Sequence, residues 1–168
     1  MTTPLLFALA ACTAALLGLS VRRVPEGTVY TLRRFDGQAR TVGAGTHLIW
    51  PLLERVAHRI ALTGHVLAIE EPFRPALPGH EPVARILRGA VYWQVLDPGR
   101  ADAVIEQAEE LIRCHILDAL QAIPAPEAES AEARNAHLKR GLNETLGGSG
   151  VLVTRVQLDL AGQPLASV

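Results

Sequence analysis

Apolar and small residues follow one another without a charge from Pro4 to Val21, PLLFALAACTAALLGLSV, and the run stops at Arg22-Arg23. About eighteen residues at 1.5 Å each reach roughly 27 Å as a helix, close to the thickness of a hydrocarbon core. The pattern predicts a membrane anchor over 4–21, carried by Leu5, Leu6, Phe7, Leu9, Leu16, Leu17, Leu19 and Val21, with Arg22 and Arg23 at its polar boundary. Beyond it the rhythm changes to period two. TVYTLRRF from Thr28 to Phe35 predicts a strand, Asp36-Gly37 a type I′ hairpin turn with positive φ at both central residues, and Gln38 to Val42 the returning strand. Gly43-Ala44-Gly45 interrupts the pattern, and Thr46 to Trp50 predicts a short strand ended by Pro51. Val56, His58, Ile60 and Leu62 alternate with Arg55, Ala57, Arg59 and Ala61, as in a half-buried strand, and another follows from His65 to Ile69.

Four prolines and a glycine between Pro72 and Pro82 predict a loop, after which Val83 to Leu87 and Ala90 to Val95 read as strands. Asp97-Pro98 has the chemistry of a helix start, a carboxylate cap followed by a residue that lacks an N–H. Ile105, Ala108, Ile112, Ile116, Ala119 and Ile123 then recur at helical spacing, and Pro124 and Pro126 end that helix. Ser130 predicts the cap of a second helix with Leu138, Leu142 and Leu146 on its apolar face and Gly147-Gly148 at its end. The final strand, Val151 to Leu160, turns Leu152, Val156, Leu158 and Leu160 inward. The order predicts an α+β fold: an N-terminal transmembrane helix, then a mostly antiparallel sheet with two helices packed on one face. One domain over 22–160 and a short tail over 161–168 complete the expected organisation.

Charge adds direction. The formal net charge is −1, which argues against a nucleic-acid partner. Arg22 to Arg59 nevertheless holds seven basic and three acidic residues, and Asp97 to Glu132 two basic and nine acidic. The basic end suits anionic lipid headgroups. A second use of the same asymmetry is self-association, with Arg33, Arg34 and Arg40 of one subunit approaching Glu106, Glu109 and Glu110 of the next. By the positive-inside rule the arginines after the apolar run place the domain in the cytoplasm and the N-terminus outside, as in a single-pass protein of a bacterial-type inner membrane. An alternative is a lipidated or secreted periplasmic binding module, because Leu9-Ala10-Ala11-Cys12 resembles a lipoprotein box.

Catalytic and metal chemistry find little footing. Cys114 and His115 are adjacent and point about 100° apart on a helix, so they do not converge on one ion, and His58 reads as a core histidine. Gly147-Gly148-Ser149-Gly150 lacks the final glycine of a nucleophile elbow, and Gly43-Ala44-Gly45 lacks the Gly-Lys-Ser/Thr of a phosphate loop. No metal site, cofactor or catalytic group is expected; a hydrolase using Ser149 or Cys114 is the weakest alternative.

The stretch VPEGTVYTLRRFDGQARTVGAGTHLIWPLLERV resembles the stomatin, prohibitin and flotillin group, the SPFH or band 7 domain, which includes bacterial modulators of membrane-bound proteases. Pro25, Gly27, Arg34, Phe35, Gly37, Gly45, His47 and Pro51 carry the likeness, with support from AVYWQVLDP, the helical pair and GVLVTRVQLDL. Two stretches depart from the pattern. Pro72 to Pro82 replaces a threonine- and aspartate-containing turn, and the sequence stops at Val168 where many relatives continue into a long ring-building helix. The resemblance implies a non-catalytic scaffold or modulator that forms homo-oligomers or hetero-oligomers with related subunits, associates with membrane lipids and regulates neighbouring membrane proteins such as a protease.

Overall fold

The computed structural model describes residues 2–50, 53–74, 85–122 and 130–161. The chain divides into two compact units, Met1–Leu62 and Thr63–Val168. Among the described residues every strand pairing is antiparallel, and the strands form three small sheets.

The first unit begins with helix α1, Thr2–Ser20. The expected transmembrane helix is corrected here: among the described residues no helix is long and apolar enough to cross a membrane. The predicted helix is shortened at its far end. Val21 leaves the helix and opens strand β1, Val21–Val24, paired with Leu48 on β4, Gly45–Leu48. Ser20 is buried, its hydroxyl donates to the Leu16 carbonyl at 2.6 Å, and its own carbonyl accepts from the Ile49 N–H at 2.7 Å. The end of the apolar run is thus built into a folded unit. The inner-membrane, single-pass placement rested on that span and is not supported.

Strands β2, Thr28–Arg34, β3, Ala39–Val42, and β5, Glu54–Ala61, make the second sheet of this unit in the order β3-β2-β5. Val24, Leu32, Val42 and Ile49 form one buried cluster, with Tyr30 and Val56 against it, so both sheets contribute to a common core. The hairpin falls where Asp36-Gly37 predicts it, but its turn differs. Arg34 and Gln38 are joined by an Arg34 N–H to Gln38 carbonyl bond, and the Gly37 N–H donates to the Arg34 carbonyl. Within this turn only Gly37, at φ 84, is left-handed, and no described residue other than glycine has positive φ. This is a three-residue loop ending in a glycine bulge, an arrangement that asks for one left-handed residue, whereas a type I′ turn asks for two. On β5 Ile60 is buried, and Leu62, expected to continue its inward face, lies just past the strand and is exposed.

In the second unit β6, His65–Phe73, β7, Arg85–Val95, and β8, Val151–Ala161, form a sheet in that order. The two strands expected around Gly89 are one continuous strand. Leu67, Ile69, Phe73, Leu87, Val91, Val153 and Leu158 are buried. A bulge in the β7–β8 register puts Arg155 opposite Tyr92 and Val153 opposite Trp93, leaving Thr154 extra. It changes the inward parity of β8 from Val151 and Val153 to Val156 and Leu158, which is why Leu152 is not among the buried residues.

The helical segment is interrupted. Asp97 caps a short helix α2, Pro98–Ala101, accepting from the Gly99 and Arg100 N–H groups, and a 3-10 turn at Ile105–Gln107 precedes α3, Ala108–Ala122. Ala108, Ile112, Ile116 and Leu120 are its buried stripe. Ser130 caps α4, Ala131–Leu146, through a 3.2 Å bond from the Ala133 N–H, and Leu138, Leu142 and Leu146 are buried as expected. Gly147 stays right-handed; the left-handed stop is Gly150, at φ 72. Both α3 and α4 belong to this unit, and α4 lies along β8. The loop expected from Pro72 to Pro82 begins later, since Pro72 and Phe73 end β6 with Phe73 buried, and of the expected tail Ala161 ends β8; Pro51, residues 75–84, the prolines after Ile123 and residues 162–168 lie outside the described residues.

Candidate functional site

The first unit gathers arginines from three strands. A cavity of about 790 Å³ is lined by Arg22, Arg23, Arg33, Arg34, Arg55 and Arg59 and by one carboxylate, Glu54. Antiparallel pairing brings these residues together from distant places in the chain. Arg33 stands directly opposite Arg55 and Arg34 opposite Glu54, while the bulge between Thr31 and Leu32 sets Arg59 opposite Tyr30. Arg34 reaches Glu54 at 3.4 Å, and the Arg59 guanidinium lies 5.3 Å from the centre of the Tyr30 ring. Leu19, Ile49 and Leu53 supply apolar wall.

Of the residues expected to self-associate, Arg33 and Arg34 sit on β2 at this cavity, and Arg40 lies on β3 opposite Leu32. Their expected counterparts belong to the second unit: Glu106 in the 3-10 turn, Glu109 and Glu110 in the first turn of α3, all exposed. Acidic groups at that end favour the helix dipole. Of the residues expected to form an anchor, Phe7, Leu16, Leu17 and Leu19 are exposed on α1, Leu5, Leu6 and Leu9 belong to the same helix, and Val21, Arg22 and Arg23 are strand residues. Sequence reading missed the cavity because Arg55 and Arg59 look like the outward face of a strand and Arg22 and Arg23 like the flank of an anchor. The signal was arginine recurring in every strand that turned out to meet there.

The nucleophile candidates are differently placed. Cys114 is exposed on α3, and its Sγ donates to Glu110 Oε1 at 3.6 Å. Its thiol is pushed above the ordinary range, chiefly by desolvation and next by the Glu110 charge and hydrogen bond, with Asp118 adding and Arg113 opposing. A raised thiol is a poor nucleophile at neutral pH, since the thiolate is the reacting form. Alkylation of Cys114 by iodoacetamide is therefore expected to run several-fold faster in Glu110→Gln than in the native chain at neutral pH, and the difference to shrink in strong alkali, where both thiols ionise. Mass-spectrometric rates for the Cys114 peptide measure this; equal rates at neutral pH would remove Glu110 as a cause. Ser149 lies in the 3-10 turn before Gly150. Among the described residues no group of three or more histidine, cysteine, aspartate or glutamate side chains is placed to hold a metal ion. His65 stacks on Trp93 with ring centres 4.3 Å apart, which explains one histidine by packing.

A further feature absent from the sequence reading joins helix to sheet. β8 is an outer strand of its sheet. The Asn143 amide donates to the Val153 carbonyl at 3.0 Å and accepts from the Val153 N–H at 2.8 Å, and Asn135 does the same with Leu158 at 3.2 and 3.3 Å. Two turns of α4 thus substitute for a fourth strand. Arg113 makes a 2.5 Å ion pair with Glu71 and fastens α3 to β6.

No family model matches this chain. The surfaces just described, a basic cavity in one unit and an acidic helical turn in the other, stand on their own geometry.

Proposed function

We propose that the chain is a non-catalytic scaffold whose copies associate head to tail and so hold or regulate a neighbouring protein, such as a protease. The observation that carries this reading is the segregation of charge between units. Arg33, Arg34 and Arg40 belong to the first, and Glu106, Glu109 and Glu110 to the second. Two different surfaces meeting in this way build rings or open chains, the geometry a scaffold needs. The resemblance to the stomatin and prohibitin group supports the same reading. Cys114, whose thiolate is disfavoured, supports the non-catalytic part.

Exposed ion pairs contribute little each, below about 1 kcal/mol, so charge steers and registers the contact while apolar packing supplies most of the affinity. Salt dependence follows. Sedimentation velocity of the full chain, in a neutral detergent that solvates the exposed leucines of α1, is expected to show oligomers at about 0.01 M salt, where charges act across roughly 30 Å, and dissociation toward smaller species at about 1 M, where the range is roughly 3 Å. A distribution that does not change with salt would remove the charge-steered contact.

A further inference from the structure

We propose that the outer edge of β6 docks the β6 of a second copy, the two strands pairing antiparallel about a twofold axis through Ala68. This goes beyond the scaffold reading: it joins like surfaces of the second unit and stands whether or not the head-to-tail contact forms.

The hydrogen bonds at the opposite edge of the sheet reveal which groups β6 turns outward. Asn135 takes the N–H and carbonyl of Leu158, and Asn143 those of Val153, so both residues direct these groups away from β7. In an antiparallel pair, a residue whose groups point away faces one that does the same. Gly89 and Trp93, opposite Leu158 and Val153, therefore direct theirs toward β6, where they meet Ile69 and His65. Alternation leaves Val66, Ala68 and Glu70 with N–H and carbonyl pointing out of the sheet edge. Pro72 falls in the same set, as suits a residue with no N–H to give. All four are exposed, and among the described residues none bonds to this row.

Strand β6 runs nine residues without a bulge against β7. Two asparagines close the β8 edge, while this one is open to another strand. Self-complementarity selects a second copy as the occupant. With Ala68 facing Ala68, Leu67 faces Ile69, Val66 faces Glu70 and His65 faces Glu71. Apolar residues stand opposite each other, an imidazole stands opposite a carboxylate, and no like charges are opposed. Sliding one strand by two residues puts Leu67 opposite Glu71 or His65 opposite Ile69, so the pattern fixes the register. Val66, Ala68 and Glu70 of each copy then exchange about six main-chain bonds. An edge contact of this length belongs to the small, transient class below about 1,200 Å². It forms at high protein concentration, and its uncharged bonds survive salt.

The test is disulfide trapping in the full chain, in neutral detergent, with Cys12→Ser and Cys114→Ser and at about 1 M salt, where the charge-steered contact is screened. Facing Cα atoms of a bonded antiparallel pair lie about 5.5 Å apart, inside the roughly 4.4 to 6.8 Å that a disulfide spans. Val66 of one copy would stand roughly 14 Å from Val66 of the other, four residues along the strand. Ala68→Cys is therefore expected to form linked dimer at least about tenfold faster than Val66→Cys. Ala68→Pro removes an outward N–H and no bond to β7. It is expected to keep the native circular dichroism and melting transition while weakening dimerisation about tenfold in sedimentation equilibrium. Ala68→Lys sets two like charges at the axis and gives the same reading if the proline variant fails to fold. Equal trapping at 66 and 68 overturns the pairing, as does native dimerisation by a folded Ala68→Pro or Ala68→Lys. A native chain that stays monomeric up to about 1 mM also overturns it and leaves the edge to a strand of another protein. None of these variants touches the acidic turn or the arginine strands, so failure here leaves the head-to-tail contact to its own salt test.

Discussion

Gly89→Ala is expected to abolish the pairing of β7 with β8 and to lower the melting transition of the second unit by tens of degrees. Gly89 has φ 152, and a Cβ built there would stand 1.9 Å from the Gln157 carbonyl oxygen and 2.9 Å from both its carbon and the Leu158 Cα. All three atoms are backbone of the neighbouring strand, so no side chain can move aside. The strands must separate, and with them the buried residues Leu87, Val91 and Leu158. A loss of about 4 kcal/mol belongs to the short list of severe single-residue effects. At roughly 4 to 8 °C per kcal/mol for a domain near this size, the transition falls by about 15 to 30 °C. Gly141→Ala provides the control of opposite sign. Gly141 lies within α4 with nothing within 4 Å of an added Cβ, and alanine there is expected to stabilise by about 0.5 to 1 kcal/mol. Thermal unfolding followed by circular dichroism compares the two; an unchanged transition in Gly89→Ala would show that β7 and β8 are not paired in this register.

Asn143→Ala is expected to be the next most damaging change, costing about 2 to 3 kcal/mol. It removes two hydrogen bonds at once and leaves the N–H and carbonyl of Val153, whose residue is fully buried, without their partners. The cost comes from the orphaned backbone groups more than from the lost asparagine. Hydrogen exchange gives a local readout: the Val153 amide, protected in the native chain, should exchange far faster in Asn143→Ala while the Leu158 amide stays protected through Asn135. Loss of protection at both sites together would mean that the two asparagines act as one cooperative unit. Retained protection at Val153 would refute the bond itself. Covering the outer side of β8 in this way also removes a row of backbone groups on which another chain could add a strand.

What could be read from the sequence depended on whether the signal was local. Asp97 and Ser130 cap their helices because a carboxylate or hydroxyl reaches N–H groups two or three residues on. Ile112 and Ile116, and Leu138, Leu142 and Leu146, are buried because helical spacing places them on one side. Features joining distant residues were hidden. The extra residue at Thr154 changes which positions of β8 face inward, and no periodicity announces it. Asn135 and Asn143 look like ordinary helix residues until β8 lies beside them, 23 and 10 residues further along. The arginine cavity needs β1, β2 and β5 in place before its members are neighbours. The anchor was misread for a related reason: composition continues through Val21, but pairing with Leu48 takes that residue out of the helix.

The scaffold reading is tested most directly by reversing the acidic surface and then restoring complementarity. Glu106→Arg, Glu109→Arg and Glu110→Arg in one chain are predicted to collapse the crosslinked oligomer ladder toward monomer at low salt. Adding Arg33→Glu and Arg40→Glu to that chain is predicted to bring much of the ladder back; Arg34 is left in place because it pairs with the buried Glu54. A ladder that survives the triple reversal, or that the compensating pair fails to restore in a chain whose circular dichroism remains native, would contradict head-to-tail association between these two surfaces.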